Sequence, residues 1–412
     1  MTEQSSSTRS RFWKVIRGRR FSLGLACCLI VVTSALFWHR RQYKDTSQFS
    51  PQIIARSRLS DGDLVRLQHV LAKARRGEPV TVGVIGGSIT VGQAASAPDR
   101  SYPSLVTRWW MDQFPQCKIT LVNAGVAGTG SNYGCIRVNR DLISKHPDFV
   151  VVEFGVNDRD DLAHVETYEG VIRQLLMDPD QPAIVLLFMM HHDGTSAQTF
   201  QSQVGRQYGL PMISYRDAIW PEVAAGRAKF SDFSADVIHP NDRGHAAIAT
   251  FINSFLQDAM DHLPADSAIP PISTALPPPK FTDLFSHAQI LKSADLKPTF
   301  TDAWFYDPTT KSWRSNEPGS SIEFDVPCDV VDLLYTKLAG GFGEAKVTVD
   351  GGQPLVFDSW LNGNWGPLCQ MDQIVRAPGM HHVRIEVLSD KNPLSTGNDF
   401  EIQGFGVAAA VK

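Results

Sequence analysis

An uninterrupted apolar and largely β-branched run, Val80-Thr81-Val82-Gly83-Val84-Ile85, ends in Gly86-Gly87, and Ser88 follows at once. A strand that is apolar at nearly every position has to be covered on both faces, which places it inside a parallel sheet. The two glycines permit a sharp turn with no side chain in the way. Ser88 then stands where the chain leaves the sheet, at the carboxyl edge where open α/β sheets keep their sites. An ordinary glycine turn or a phosphate loop would begin in the same way. The lysine of a Walker loop is missing, however, and so is the Gly-x-Gly-x-x-Gly of a dinucleotide site.

The pattern continues as an alternation. Further strands are expected at Ile119–Val122, Phe149–Phe154, Ala183–Met190 and Met212–Ser214. Helical stretches fall near Asp61–Arg76, Tyr102–Phe114, Asn132–Lys145, Tyr168–Met177, Ala197–Tyr208 and Asp242–His262. Strands alternating with helices imply right-handed crossovers and a three-layer α/β fold with a flavodoxin-like parallel sheet. The pattern breaks at residues 264–280, where Pro270-Pro271 and Pro277-Pro278-Pro279 mark a semi-rigid linker. Beyond it, residues 281–412 read as an all-β sandwich. Short alternating segments are expected at Ser321–Val326, Val330–Tyr335, Ala345–Val349, Leu355–Phe357, His382–Val387 and Phe400–Val407.

Charge divides the chain unevenly. Residues 1–44 hold nine Lys/Arg against the single acid Glu3, and the remainder holds 30 basic and 42 acidic residues. An acidic body argues against a nucleic-acid partner, which needs a basic surface. The basic end flanks Phe21–Trp38, eighteen residues without a formal charge, which is about the length of a membrane-spanning helix. The larger basic cluster precedes the run, so residues 1–20 are expected to stay in the cytoplasm as a tail. Residues 21–38 then form a transmembrane anchor, residues 39–58 a stem, and the body lies outside the cytoplasm. Secretion after cleavage of a signal peptide is the alternative. Cys27 and Cys28 fall in the apolar run; Cys117, Cys135, Cys328 and Cys369 lie in the body. An oxidising compartment would permit one bridge in each half, and four free thiols is the other reading.

Chemistry enters with four short blocks. Acyl transfer needs a nucleophile, a base, a group that orients the base, and donors for the oxyanion. Ser88 opens the first block. Asn123-Ala124-Gly125-Val126-Ala127-Gly128-Thr129-Gly130, past the second strand, offers backbone N–H groups unobstructed by side chains. Asn157, in Gly155-Val156-Asn157-Asp158 past the third strand, supplies an amide donor that does not titrate. Asp236-Val237-Ile238-His239 lets one turn carry both an imidazole and its carboxylate partner. Read singly, these are a flexible turn, a capping Asn and a surface His ahead of a helix.

Taken in this order, the four blocks closely resemble those of the SGNH (GDSL-like) hydrolase family over about residues 80–260. The resemblance implies Ser88 as nucleophile, His239 as general base and Asp236 as its partner. Gly128 and Asn157 would complete an oxyanion hole with the Ser88 N–H. It also implies a five-stranded parallel sheet between helices, with the hydrolase domain over residues 59–263. One departure is visible: Gly87 precedes the serine where the name-giving pattern has Asp. That Asp is not a triad member, but its absence stops the substrate class of lipase-like members from being carried over.

The expected function is that of a serine esterase acting on small acyl esters, above all O-acetyl groups on carbohydrate, through an acyl-enzyme. An O-acyltransferase using the same triad is one alternative. A non-enzymatic surface protein whose sandwich binds carbohydrate is another. No cofactor and no metal are expected, since no Cys/His cluster has ligand spacing. The expected partners are an acylated small molecule or polysaccharide and, through the N-terminal helix, a membrane. Secondary candidates for substrate contact are His192, in a loop at the same sheet edge, and Trp360 and Trp365, in a loop of the sandwich. Trp304 and Trp313 are further tryptophans able to stack on sugar rings, although tryptophan in a sandwich is more often core.

Overall fold

A computed structural model describes residues 49–363 and 366–409. The expected anchor, Phe21–Trp38, and the basic tail lie outside the described residues. Among the described residues, no helix is long and apolar enough to cross a membrane. The first half contains helices α1 (Pro51–Ser57), α2 (Val65–Arg75), α3 (Ser88–Val91), α4 (Tyr102–Gln113), α5 (Ser131–Asp141), α6 (Leu162–Met177), α7 (Gln198–Gln207), α8 (Tyr215–Ala224) and α9 (Asp242–Asp261). Its strands are β1 (Arg58–Ser60), β2 (Val80–Gly86), β3 (Ile119–Gly125), β4 (Phe149–Glu153), β5 (Ala183–Phe188) and β6 (Met212–Ser214), in sheet order β1-β6-β5-β4-β2-β3.

The five strands β2 to β6 run parallel. Residues of β4 and β5 are buried throughout, as apolar runs broken only by Glu153 at the end of β4 require. Register aligns three of the strand ends. Gly86 pairs with Gly125 on one side and with Glu153 on the other, so β2, β3 and β4 end level. The loops that leave these strands therefore start at one edge.

Three local expectations need correction. Arg58, the last residue assigned to the stem, instead opens the strand Arg58–Ser60, which pairs antiparallel with β6; three residues are too few to show a period. The helix expected from Asp61 begins at Val65, because Gly62 takes a left-handed φ of 60° and the Asp63 carboxylate accepts the Val65 N–H at 2.9 Å. Helix α8 was not expected at all, since Pro221 lies inside it and proline normally interrupts a helix.

The second half is antiparallel. Its strands are β7 (Gln289–Lys292), β8 (Phe300–Asp302), β9 (Phe305–Asp307), β10 (Ser312–Ser315), β11 (Ser321–Lys337), β12 (Glu344–Val349), β13 (Leu355–Asp358), β14 (Leu368–Val387) and β15 (Phe400–Ala408). The main path runs β13-β12-β14-β11-β15-β10-β9, with β7 on β15 and β8 on β11. Two strands expected on either side of Pro327 are one, β11, with a register shift between Cys328 and Val330 that absorbs the interruption. Strand β14 extends fourteen residues ahead of the expected His382 start, through a stretch such as Gln370-Met-Asp-Gln that carries no apolar alternation. Ile322, Phe324, Leu333, Ile385, Phe400 and Phe405 build this domain's core, and Trp304 belongs to it, with Trp313 packed alongside.

Alternate residues of β11 face the first half. Val330 and Leu334, with Ala408, share one apolar cluster with Cys135 and Ile136 of α5 and with Phe285 and Ala288 from the chain ahead of β7. Burial of Val330, Leu334, Ile136 and Phe285 contributes about 1.5–3 kcal/mol for each side chain. The rim ion pair Arg376–Glu166, at 2.8 Å and partly exposed, adds at most about 1 kcal/mol, so apolar contact holds the halves together. The proline-rich segment is fastened too. Buried Glu169 of α6 accepts the backbone N–H groups of Lys280, Phe281 and Thr282 at 2.6, 2.7 and 3.0 Å, and the Tyr208 hydroxyl at 2.7 Å. Next to it Gly170 has no side chain for a reason: a Cβ there would meet Phe285 Cβ at 2.5 Å. Cys117, Cys135, Cys328 and Cys369 are all free thiols.

Candidate active site

Ser88 opens α3 directly after the Gly86-Gly87 turn. Its Oγ lies 2.9 Å from His239 Nε2, and Nδ1 of the same ring lies 2.7 Å from Asp236 Oδ2. The other carboxylate oxygen, Asp236 Oδ1, accepts the N–H groups of Ile238 and His239 at 2.8 and 2.7 Å. The carboxylate thus closes the turn that presents the imidazole and still orients it. With Nδ1–H donating to Asp236, Nε2 is the acceptor that faces the serine hydroxyl. Desolvation alone would raise the Asp236 pKa. The hydrogen bonds from the His239 backbone, its ring and the Ile238 N–H outweigh that and hold the carboxyl below its usual range. Ser88 is only 5% exposed, whereas the Asp236 side chain is half exposed.

The two remaining blocks meet at the same edge. Gly128 has a left-handed φ of 71°, which glycine adopts without strain. Asn157 packs on the bare backbone of Gly87: a Cβ there would fall 2.0 Å from Asn157 Oδ1, an atom that is buried and accepts no hydrogen bond. Asp158 stitches the blocks together. Its Oδ1 accepts the Ser131 N–H at 2.7 Å and its Oδ2 accepts Gln201 Nε2 at 2.9 Å. Burial pushes its carboxyl up to about 6.

Residues that sequence reasoning passed over lie beneath this edge. Glu153, fully buried at the end of β4, accepts the Gly155 N–H at 3.0 Å. Near its other oxygen, at 3.5 Å, is the Thr90 hydroxyl, which lies 2.8 Å from the Tyr102 hydroxyl. Desolvation raises the Glu153 carboxyl to about 8. Arg137 of α5, also fully buried, donates from Nη1 to the Ala124 carbonyl at 2.6 Å and from Nη2 to the Gly86 carbonyl at 3.1 Å. The available signal for Glu153 was an acid inside an otherwise apolar strand, which has to be partnered or neutral. Arg137 gave none, being one basic residue in a mixed helix.

Loop 191–196 braces the site from the side. His191 Nε2 lies 3.0 Å from the Val156 carbonyl, and the His192 N–H donates to the Val237 carbonyl at 3.0 Å. The exposed ring of His192 meets Phe230 edge-on, with centroids 6.5 Å apart. From the β domain, Leu368 approaches Gly128. Trp360 is half-buried, its backbone N–H donating to Asp358 Oδ1 at 2.8 Å; Trp365 lies outside the described residues.

Residues 84–247 match the GDSL-like Lipase/Acylhydrolase family, and that span contains the serine, glycine, asparagine and Asp/His blocks. The hydrolase domain belongs to that family. It is an SGNH-type esterase. Among curated relatives, Thioesterase 1/protease 1/lysophospholipase L1 of Escherichia coli K12 is 25% identical over 201 residues, covering 47% of this chain and 91% of the relative. An acetylxylan esterase of Geobacillus stearothermophilus is 23% identical over 194 residues, covering 40% and 88%. Both alignments cover less than half of the esterase chain. The β domain has a counterpart in a solved two-domain esterase active on acetylated mannans, crystallised with mannopentaose. That structure is 29% identical, with a TM-score of 0.78, and covers 87% of this chain and 98% of its own.

Proposed function

We propose that the esterase removes small acyl groups, above all O-acetyl, from carbohydrate through an acyl-enzyme formed at Ser88. The observation that carries the reading is the hydrogen-bonded series Ser88 Oγ, His239 Nε2, His239 Nδ1, Asp236 Oδ2, with contacts of 2.9 and 2.7 Å. His239 takes the hydroxyl proton as Ser88 Oγ attacks the ester carbonyl. Asp236, kept ionised, stabilises the imidazolium that forms. The Ser88 and Gly128 N–H groups and the Asn157 amide receive the charge that develops on the carbonyl oxygen. Collapse breaks the ester C–O bond, and the leaving alcohol takes the proton from His239. Water, deprotonated by the same ring, then attacks the acyl-serine; Ser88 recovers the proton and the carboxylic acid departs. The carbohydrate part rests on likeness in both domains to an esterase active on acetylated mannans, and on the acetylxylan esterase relative.

Acetate release from acetylated mannan and acetylated xylan by the full chain tests this. Wild type should deacetylate at least one of them, and Ser88→Ala should lose turnover by several orders of magnitude. Full turnover in Ser88→Ala would remove the serine from the mechanism. Turnover of simple acetyl esters with neither polymer attacked would remove the carbohydrate assignment.

A further inference from the structure

Arg137 carries a fixed charge in a fully buried position, and what it grips is unusual. Its two terminal nitrogens donate to carbonyls on two strands, Gly86 at the end of β2 and Ala124 near the end of β3. Ser88 follows Gly86 by two residues, and Gly128 follows Ala124 by four. Gly86 O also accepts the Val126 N–H at 3.0 Å, from the loop that leads to Gly128. Asp141, at 3.3 Å and shared with Arg140, and the Tyr133 ring, 5.6 Å from the guanidinium carbon, balance the charge in part, while the buried Arg137 Nε has no hydrogen-bond partner. Taking an ion out of water is costly even after the protein relaxes. The parallel ladder already joins β2 to β3 as far as Gly86 and Gly125. Sheet cohesion therefore does not require a guanidinium here, and the groups it orders beyond the ladder are the two turns that carry the site.

We propose that Arg137 is a positioning residue for the ester-cleaving reaction: it holds the ends of β2 and β3 at the spacing at which Ser88 and Gly128 meet one substrate carbonyl. The inference rests on the assignment of Ser88 as nucleophile. A planar fork suits the task, because one rigid group reaches two carbonyls at once. Lysine keeps the charge but donates from a single point, and methionine of similar length donates nothing.

Full-chain Arg137→Met, Arg137→Lys and Ser88→Ala are compared with wild type on p-nitrophenyl acetate, with melting followed for each. A displacement of reacting groups by a fraction of an ångström should cut kcat by ~10-fold or more in Arg137→Met while KM stays within ~2-fold. Arg137→Lys should recover part of that loss. A merely structural role would lower the melting temperature and leave the kcat of the folded fraction alone. Should Arg137→Met fail to fold, Arg137→Gln decides, since it keeps a donor and drops the charge. Wild-type kcat in a folded Met or Gln variant, or a loss confined to KM, overturns the inference. Turnover surviving in Ser88→Ala overturns the active-site reading and this inference with it, whereas a dead Ser88→Ala beside unimpaired Arg137 variants sinks the inference alone.

Discussion

Leu368 of the β domain ends against the bare backbone of Gly128: a Cβ built on that glycine would lie 3.7 Å from Leu368 Cδ1. That is ordinary contact, so space does not forbid a side chain at position 128. The backbone does, with its φ of 71°. Gly128→Ala should cost ~1–2 kcal/mol in the loop and lower kcat on p-nitrophenyl acetate, measured beside a thermal melt. Unchanged kcat would remove the Gly128 N–H from the oxyanion site.

Asn157 and Gly87 should behave as one unit. Asn157→Ala removes a donor and should cost ~10²–10³ in kcat. Gly87→Ala drives a methyl into the space of Asn157 Oδ1 and should impair turnover by the same route. The double variant is then expected to be little worse than the poorer single, because neighbouring groups are not additive. Additive losses in kcat would separate the two residues.

Stability should fall as pH rises through neutrality. Burial raises Glu153 to about 8 and Asp332, beside Asp372, to about 7, against ordinary values of 4.5 and 3.8. A carboxyl held neutral in the fold stabilises fully below its unfolded pKa. That contribution shrinks above it and is lost as pH passes the folded value. Thermal melts from pH 4 to pH 9 should therefore slope downward between about pH 4 and pH 8. Glu153→Gln, which cannot ionise, should flatten the slope; an unaltered slope would show that Glu153 is charged in the fold.

Glu169 fastens the proline-rich segment, and leaving its three N–H partners unpaired should cost ~1–3 kcal/mol for each that stays buried. Glu169→Ala should lower the melting temperature and open residues 264–280 to limited proteolysis. Wild-type resistance to protease would deny Glu169 that role.

Membrane attachment is open to direct measurement. If Phe21–Trp38 is retained as an anchor, the expressed chain should resist carbonate extraction, and protease applied outside should digest the body. An amino terminus beyond Trp38 in the mature protein would show cleavage instead.

Much of the α/β half was legible because its inner strands are buried on both faces, as in Phe149–Glu153, and such runs have few other uses. The Asp236/His239 pair was legible because one turn supplies both. Arg137 and Glu153 were not, since each acts across the sheet on backbone atoms, and no spacing along the chain records such a contact. In the β domain, Leu368–Ala377 escaped notice because its exposed face is mixed and its pairing with β11 is set from afar. Trp304 fills the core, the commoner place for tryptophan in a sandwich, and leaves the sugar-facing alternative without support there.

The amide groups of Lys280, Phe281 and Thr282 close on Glu169, and an apolar cluster is shared between the halves, so the β domain is fastened at two places among the described residues. Leu368 is thereby held against Gly128. Movement of the β domain is then not expected to limit turnover, so kcat on p-nitrophenyl acetate should be indifferent to solvent viscosity.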